Sequence, residues 1–347
     1  MKKILSLLFF LFNFQSIFAE EATPPVETKK ILLTGGASFI GSNFLQYLFD
    51  KYPDYAFIVL DNLTCGVSLD HIPEYIKESP RFQFVNDTLT DSTIVEKLMG
   101  ETQWVVHFAA CDFNDPRFLQ TTFFGTYTLM EALVKHVETI ERFIHVSSAE
   151  VYGTAEEYPM NEEHPLKPRT PCAASKLASE GLVFSYYTSF HLPVTIVRLF
   201  NTYGKGQTGE KMIPSFIHHA IQRHPLTIHG NGEQTRDWIH VHDACVALDR
   251  MLHLPEFSKI KGEIINIGSE VGISVLDVAK DILNYFNMPE EYLTFIPDRS
   301  GQIKSHIAST EKARSLLSWS PTINFEEGLK TTVEWYLHNS AAWVKED

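Results

Sequence analysis

The chain has 347 residues, 44% of them hydrophobic and 21% charged, which is ample material for a large core. That length suits one large α/β unit with a small second lobe, or two domains. A formal net charge of −14 argues against a broad nucleic-acid or anionic-membrane surface, while leaving room for a few local basic groups around a phosphorylated ligand.

The chain opens with Lys2 and Lys3, an apolar run from Ile4 to Phe12 continuing with polar breaks to Phe18, and Ala19 before Glu20-Glu21. A charged start, an apolar stretch and a small residue at a cleavage point read as a signal peptide over residues 1–19, with an uncleaved N-terminal anchor as the second reading. The run is shorter than the ~20 residues of a membrane span. Residues 20–28, with Thr23-Pro24-Pro25, form a spacer. Use of the signal implies an exported protein with no stable membrane span after cleavage; otherwise the protein is cytoplasmic. The four cysteines, Cys65, Cys111, Cys172 and Cys245, show neither a disulfide framework nor a C-x-x-C metal pattern, and buried thiols are the expectation for Cys65 and Cys245.

From Lys30 onward, strand-like and helix-like runs alternate. The strands are read at Lys30–Thr34, Ala56–Leu60, Phe82–Val85, Trp104–Phe108, Arg142–Val146 and Pro193–Leu199. Helices are expected over Phe39–Phe49, Ile94–Met99, Thr126–His136 and Ala173–Phe190. This β-α-β alternation predicts a parallel sheet covered on both faces, a doubly wound α/β fold. Beyond Gly204 the elements shorten, with helices at Val275–Phe286 and Phe325–His338. The expected division is a dinucleotide-binding unit over 29–202 and a smaller lobe drawn mostly from 203–338, with returns to the main sheet near 238–268.

The first strand runs into Gly35-Gly36-Ala37-Ser38-Phe39-Ile40-Gly41 and then a helix. A strand, a glycine turn and a helix N-terminus present backbone amides to a pyrophosphate. Gly35 permits the tight turn and Gly41 permits close helix–strand packing. Twenty residues beyond Gly41, the second strand ends at Asp61, where a carboxylate accepts from ribose hydroxyls and repels a 2′-phosphate.

Three further segments accompany this turn: Val106-His107-Phe108-Ala109-Ala110, Ser147-Ser148-Ala149-Glu150-Val151-Tyr152-Gly153, and Pro171-Cys172-Ala173-Ala174-Ser175-Lys176. In order and spacing the set resembles the extended short-chain dehydrogenase/reductases that remodel nucleotide sugars, and its second half is similar to their 4,6-dehydratases. The resemblance implies a Rossmann sheet with a C-terminal substrate lobe, NAD as cofactor, a nucleotide diphosphate sugar as partner, a homodimer, and transient oxidation of the sugar at C4. It places the cofactor against Gly35, Ser38, Phe39, Ile40, Gly41, Asp61, Asn62, Thr88, Leu89, Ala109, Ala110 and Lys176. Ser148 would hydrogen-bond the sugar hydroxyl, and Lys176 would hold the nicotinamide ribose and lower the pKa of the base.

The departures gather near the chemistry. Cys172 stands where the family has its catalytic tyrosine; a neighbouring ammonium favours its thiolate, but its side chain ends several ångströms short of a phenol oxygen. Glu150 matches the elimination base of the dehydratases, while Ala149 replaces their acid. Ser38 replaces a glycine, Thr88 falls where an aspartate is usual with Asp87 beside it, Thr122 replaces an asparagine, and the stretch Cys111–Thr122 is shorter than the family's loop. That shortening opens the wall of the sugar site or turns Cys111, Asp112 or Asn114 toward it.

On the sugar side the resemblance places Asn201, Lys211, Arg236 and Arg299 against the substrate, a convergence of donors suited to a diphosphate. Ile303 and His306 depart from the family's tail. The 15 histidines form no convincing metal set. Two readings follow: a nucleotide-sugar epimerase or dehydratase, and a binding protein descended from such enzymes that no longer turns over.

Overall fold

The computed structural model describes residues 28–64, 67–110, 117–299 and 301–339. Residues 1–19, Cys65, the segment holding Cys111, Asp112 and Asn114, and Ser300 lie outside them.

The first six strands are β1 (Lys30–Thr34), β2 (Ala56–Leu60), β3 (Phe82–Val85), β4 (Trp104–His107), β5 (Arg142–Ser148) and β6 (Val194–Leu199). After them come β7 (Asn201–Tyr203), β8 (Leu226–His229), β9 (Thr235–His240) and β10 (Ile264–Ile267), then β11 (Gly272–Ser274) and β12 (Leu293–Ile296). Seven strands form one parallel sheet in the order β3-β2-β1-β4-β5-β6-β10. Consecutive residues Ile31, Leu32 and Leu33 are all fully buried, so both sheet faces are covered, and helices cover them. Ile31 and Leu33 join one core and Leu32 the other. The strand order reverses direction at β1, with β2 on one side and β4 on the other, and such a switch point opens a crevice beyond the strand C-termini. This is the Rossmann arrangement.

The cofactor helix α1 (Phe39–Lys51) follows β1, and α2 (Glu74–Lys77) is a single turn absent from the sequence reading. Asp91 caps α3 (Ser92–Gly100), accepting from the N–H groups of Thr93 and Ile94. A π-helical turn at Gln120–Phe124 leads into α4 (Gly125–Lys135). Helix α5 starts at Pro171, ahead of the expected Ala173, and ends at Phe190. Thr170 supplies the cap, its hydroxyl accepting from Ala173 N–H at 3.1 Å, and proline fits the first helical position because its missing N–H has no partner there. Cys172 therefore lies inside the helix, in its first turn.

The remaining residues build a further, smaller core around α6 (Met212–Ile221), α8 (Val275–Tyr285) and α10 (Phe325–His338), with α7 (Val241–Leu252) and α9 (Glu311–Leu317) returning to the main core. β9 sits between β7 and β11, and β8 pairs with β12. A buried polar network ties the turn after β5 to β6, β10 and α5. Arg198 makes an ion pair with Glu180 at 2.7 Å and donates to the Tyr152 hydroxyl at 2.9 Å, which in turn donates to Asn266 Oδ1 at 2.7 Å. Among the described residues no helix is long and apolar enough to cross a membrane.

Candidate active site

The crevice at the switch point is fixed by backbone. Gly35 has φ +67°, and a Cβ there would sit 2.6 Å from both the N and Cα of Ala109. A Cβ on Gly41 would sit 2.4 Å from the Gly35 carbonyl oxygen. Both contacts are with main chain that cannot step aside, so only glycine fits. The Ser38 hydroxyl turns back and donates to the Gly35 carbonyl at 2.6 Å, bracing the turn. Phe39 and Ile40 begin α1, whose N-terminus faces the crevice entrance.

Asp61 directly follows β2, its carboxylate folded onto the turn: Oδ2 accepts from Ala37 N–H at 3.1 Å and Oδ1 from Leu63 N–H at 3.0 Å. Burial pushes its pKa up, and these N–H groups oppose the rise by stabilising the charged form. Gly35, Ser38, Asp61, Asn62, Leu89, Ala109 and Ala110 all line this one crevice. So do Asp87, Thr64, Val67 and Thr121. The last three come from a loop and an irregular turn that carry no pattern in the sequence. Thr88 faces Thr90, hydroxyl to hydroxyl at 3.1 Å, and its N–H donates to Asp87 Oδ1 at 2.7 Å. A narrow groove of backbone amides, a helix N-terminus and a carboxylate at the second strand's end fit the diphosphate and ribose of NAD.

The chemical end lies where β5 and α5 meet. Ser148 is the last residue of β5, and its Oγ accepts from Glu150 N–H at 3.2 Å, starting the 3₁₀ turn Ala149–Tyr152. Glu150 is exposed on that turn and Ala149 is buried. Cys172 is half-buried in the first turn of α5, and Lys176, four residues on, shares its helix face. Lys176 is 9% exposed, and its ammonium donates to the Val146 carbonyl at 2.8 Å.

Two buried histidines flank this lysine. His107 Nε2 contacts Thr126 Oγ1 at 3.0 Å, and its Nδ1 contacts Thr34 Oγ1 at 2.6 Å. The Thr126 hydroxyl already gives its proton to the Thr122 carbonyl at 2.6 Å, so His107 Nε2–H is the donor and Nδ1 accepts from Thr34. His107 is thus a neutral imidazole, and burial, followed by the charge of Lys176, pulls its pKa down to about 3. Burial holds His145 well below the usual range too, with His107 and Lys176 adding to the effect.

Tyr152 is fully buried, its hydroxyl held between Arg198 and Asn266, and burial pushes its pKa up to about 12 despite the guanidinium.

The lobe closes over this end. Arg236, on β9, is half-buried with its Nη1 on the Thr235 carbonyl; burial lowers its pKa and the neighbouring Glu150 carboxylate opposes that, so the two side chains sense each other. The segment after Arg299 crosses back to α5, where a Cβ on Gly301 would lie 2.9 Å from the Arg169 carbonyl and 3.7 Å from the Thr170 side chain. The same segment reaches Thr235 and the Gly153 carbonyl through Ser305 and His306. Asn201 begins β7, in register with Trp238 of β9. Lys211 caps α6 from an exposed position, and Arg299 is also exposed. The fold therefore gathers Ser148, Glu150, Cys172, Lys176 and Arg236 around the ends of β5, α5 and β9, while Lys211 and Arg299 are exposed on the lobe. Among the described residues no cluster of His, Cys, Asp or Glu could hold a metal ion.

A family model described as GDP-mannose 4,6 dehydratase matches residues 32–332. The low-salt glycan biosynthesis protein of Haloferax volcanii is 36% identical over 313 residues, spanning 88% of this chain and 98% of that protein. Among solved structures, dTDP-glucose 4,6-dehydratase from Bacillus anthracis in complex with NAD superposes with a TM-score of 0.85 at 33% identity, covering 91% of this chain and 98% of that one. UDP-glucuronic acid 4-epimerase from Bacillus cereus, in complex with UDP-glucuronic acid and NAD, gives 0.83 at 29% identity, covering 89% and 99%.

Proposed function

The chain belongs to the NAD-dependent nucleotide-sugar epimerases and dehydratases of the extended short-chain dehydrogenase/reductases, and from that membership we propose that it oxidises a nucleotide diphosphate sugar transiently at C4. One observation carries the proposal: the buried Lys176 ammonium sits on the same helix face as Cys172, beside the strand end that holds Ser148 and Glu150.

NAD, when bound, supplies the reversible hydride acceptor; Gly35, Gly41, Asp61 and Lys176 would hold it. Cys172 takes the proton of the C4 hydroxyl, with Ser148 hydrogen-bonded to the same oxygen. Two features favour the thiolate: the positive end of α5 and the ammonium one turn away, both of which lower a thiol pKa. A bridging water spans the distance that a tyrosine would cover. Glu150 serves as base toward the neighbouring carbon, and with alanine at 149 the strand end holds no elimination acid, which favours epimerisation over loss of water. Asn201, Lys211, Arg236 and Arg299 receive the diphosphate and nucleoside. Residues 29–202 form the cofactor unit and 203–338 most of the substrate lobe.

The exposed apolar residues Tyr127 on α4 and Phe184 and Phe190 on α5, together with Phe124 just before α4, support a homodimer through these helices. The charged, apolar and small-residue order of residues 1–19 supports export, which N-terminal sequencing of the mature protein checks.

A second reading, a nucleotide-sugar-binding protein without turnover, draws on Tyr152 being locked in the core and on the short reach of Cys172. Incubating the NAD-loaded protein with UDP-, dTDP- and GDP-sugars separates the two. An altered sugar, seen by product mass if water is lost or by chromatographic separation of the isomer if the sugar is epimerised, supports the enzyme, and saturable binding of a sugar without any new product over the whole panel supports the second reading.

A further inference from the structure

A cavity of about 720 Å³ lies behind α1, bounded by the start of α7 and by α10, and it shares no lining residue with the cofactor crevice. Its size is that of a small-molecule site, within the ~300–1,000 Å³ usual for these. Four aromatic groups stand around it, Tyr47, His240, His242 and Trp335, with the Tyr47 and His242 rings packed edge to face at 5.6 Å.

The charges along it are unequally paired. Lys51 is held by Asp249 at 2.6 Å, and Asp50 accepts from the Tyr75 hydroxyl at 2.8 Å. Lys205 has a different hydrogen-bond partner: its ammonium donates to the neutral side-chain amide of Gln46 at 2.8 Å, and it makes no ion pair among the described residues, although the Asp50 carboxylate of the same cavity lies near enough to favour its charge. Asn43 fixes the Lys205 backbone, donating from Nδ2 to the Lys205 carbonyl at 3.0 Å and to the Phe39 carbonyl at 2.9 Å. A cation with a neutral partner, anchored beside flat aromatic walls, is complementary to an aromatic ring that carries a negative group.

We propose that this cavity is a second ligand site for a small aromatic anion, its ring among Tyr47, His242 and Trp335 and its anionic group on Lys205. The site stands apart from the sugar chemistry and does not depend on the enzymatic reading.

Calorimetric titration of the full-length, NAD-saturated protein with 1-naphthoate tests it. Saturable binding of one 1-naphthoate per chain is expected, with 1-naphthalenemethanol and cyclohexanecarboxylate each about tenfold weaker or more. Lys205→Met, which keeps the stem and removes the charge, weakens naphthoate about tenfold. Thr331→Trp, at an exposed position on the cavity wall, blocks it while leaving the melting temperature and NAD binding unchanged. Absence of saturable binding overturns the proposal, as does equal affinity in both variants. Binding that emerges only after removal of residues 340–347 gives the cavity to the chain's own Ala341-Ala342-Trp343-Val344 stretch, and also overturns it.

Discussion

The two ends of the cleft are determined by different parts of the chain. At the cofactor end, backbone meets backbone: Gly35 lies against Ala109, and Gly41 against the Gly35 carbonyl, with no space for even a methyl group. At the sugar end, main-chain scaffolding presents side-chain tips, and the scaffold is indifferent to what the tips are. Thr170 caps α5 and Ser148 caps the next turn whether position 172 holds a thiol or a phenol and whether 149 holds a carboxylate or a methyl. Cofactor binding is thus a property of the fold, and the reaction is a property of a few exchangeable atoms.

That contrast is breakable. The largest effect is expected from Gly35→Val, which drives side-chain carbon into the Ala109 backbone at a positive φ; NAD binding by calorimetry should vanish, and retained affinity would show the turn to be softer than its geometry. Next comes Lys176→Met, which keeps the helix and removes the ammonium. Turnover should fall by roughly 10²–10³-fold with a smaller loss of NAD affinity, and an effect on affinity alone would move Lys176 from the chemistry to the cofactor.

Acidification probes the neutral histidines beside that lysine. An unfolded histidine takes up its proton near pH 6.5, whereas folded His107 does so only near 3. The unfolded state therefore binds more protons across that window, so the contribution of His107 to stability is complete above about pH 6.5 and is lost as the pH falls toward 3. Urea midpoints at decreasing pH should record up to about 1.4 kcal/mol lost per pH unit for each such histidine. Stability that holds steady on acidification would place a charged imidazole beside Lys176. The smallest effect is expected from Ser38→Gly. It removes one bond to the Gly35 carbonyl and leaves the turn standing, so NAD affinity should shift only severalfold by the same calorimetry.

Much of this was legible from local pattern. The β1 turn, Asp61 and the strand alternation follow from residue type and spacing, and α10 falls where its apolar stripe predicts. The start of α5 was legible as well, in Thr170 followed by Pro171, but reading the helix from its apolar residues placed it two residues late and left Cys172 outside it. Other features depend on chain paths that no local signal encodes. Thr64 and Val67 reach the crevice through an irregular loop, and Thr121 through a π-helical turn. The bond between Tyr152 and Asn266 joins residues 114 apart in sequence, and together with the Arg198 bond it holds the Tyr152 hydroxyl in the core. The neutral state of His107 likewise follows from where the Thr126 hydroxyl sends its single proton.

The central claim, that a thiol does the phenol's work, is tested most directly by single-turnover absorbance of reduced nicotinamide. NAD-loaded wild type and Cys172→Ser are each mixed with the sugar that the product assay identifies. Wild type should show the reduced-nicotinamide signal, and Cys172→Ser should form it slower by roughly 10²–10⁴-fold, the usual contribution of a positioned base. Equal rates in the two proteins would contradict the account and pass the role of base to another group, with Glu150 the first to examine.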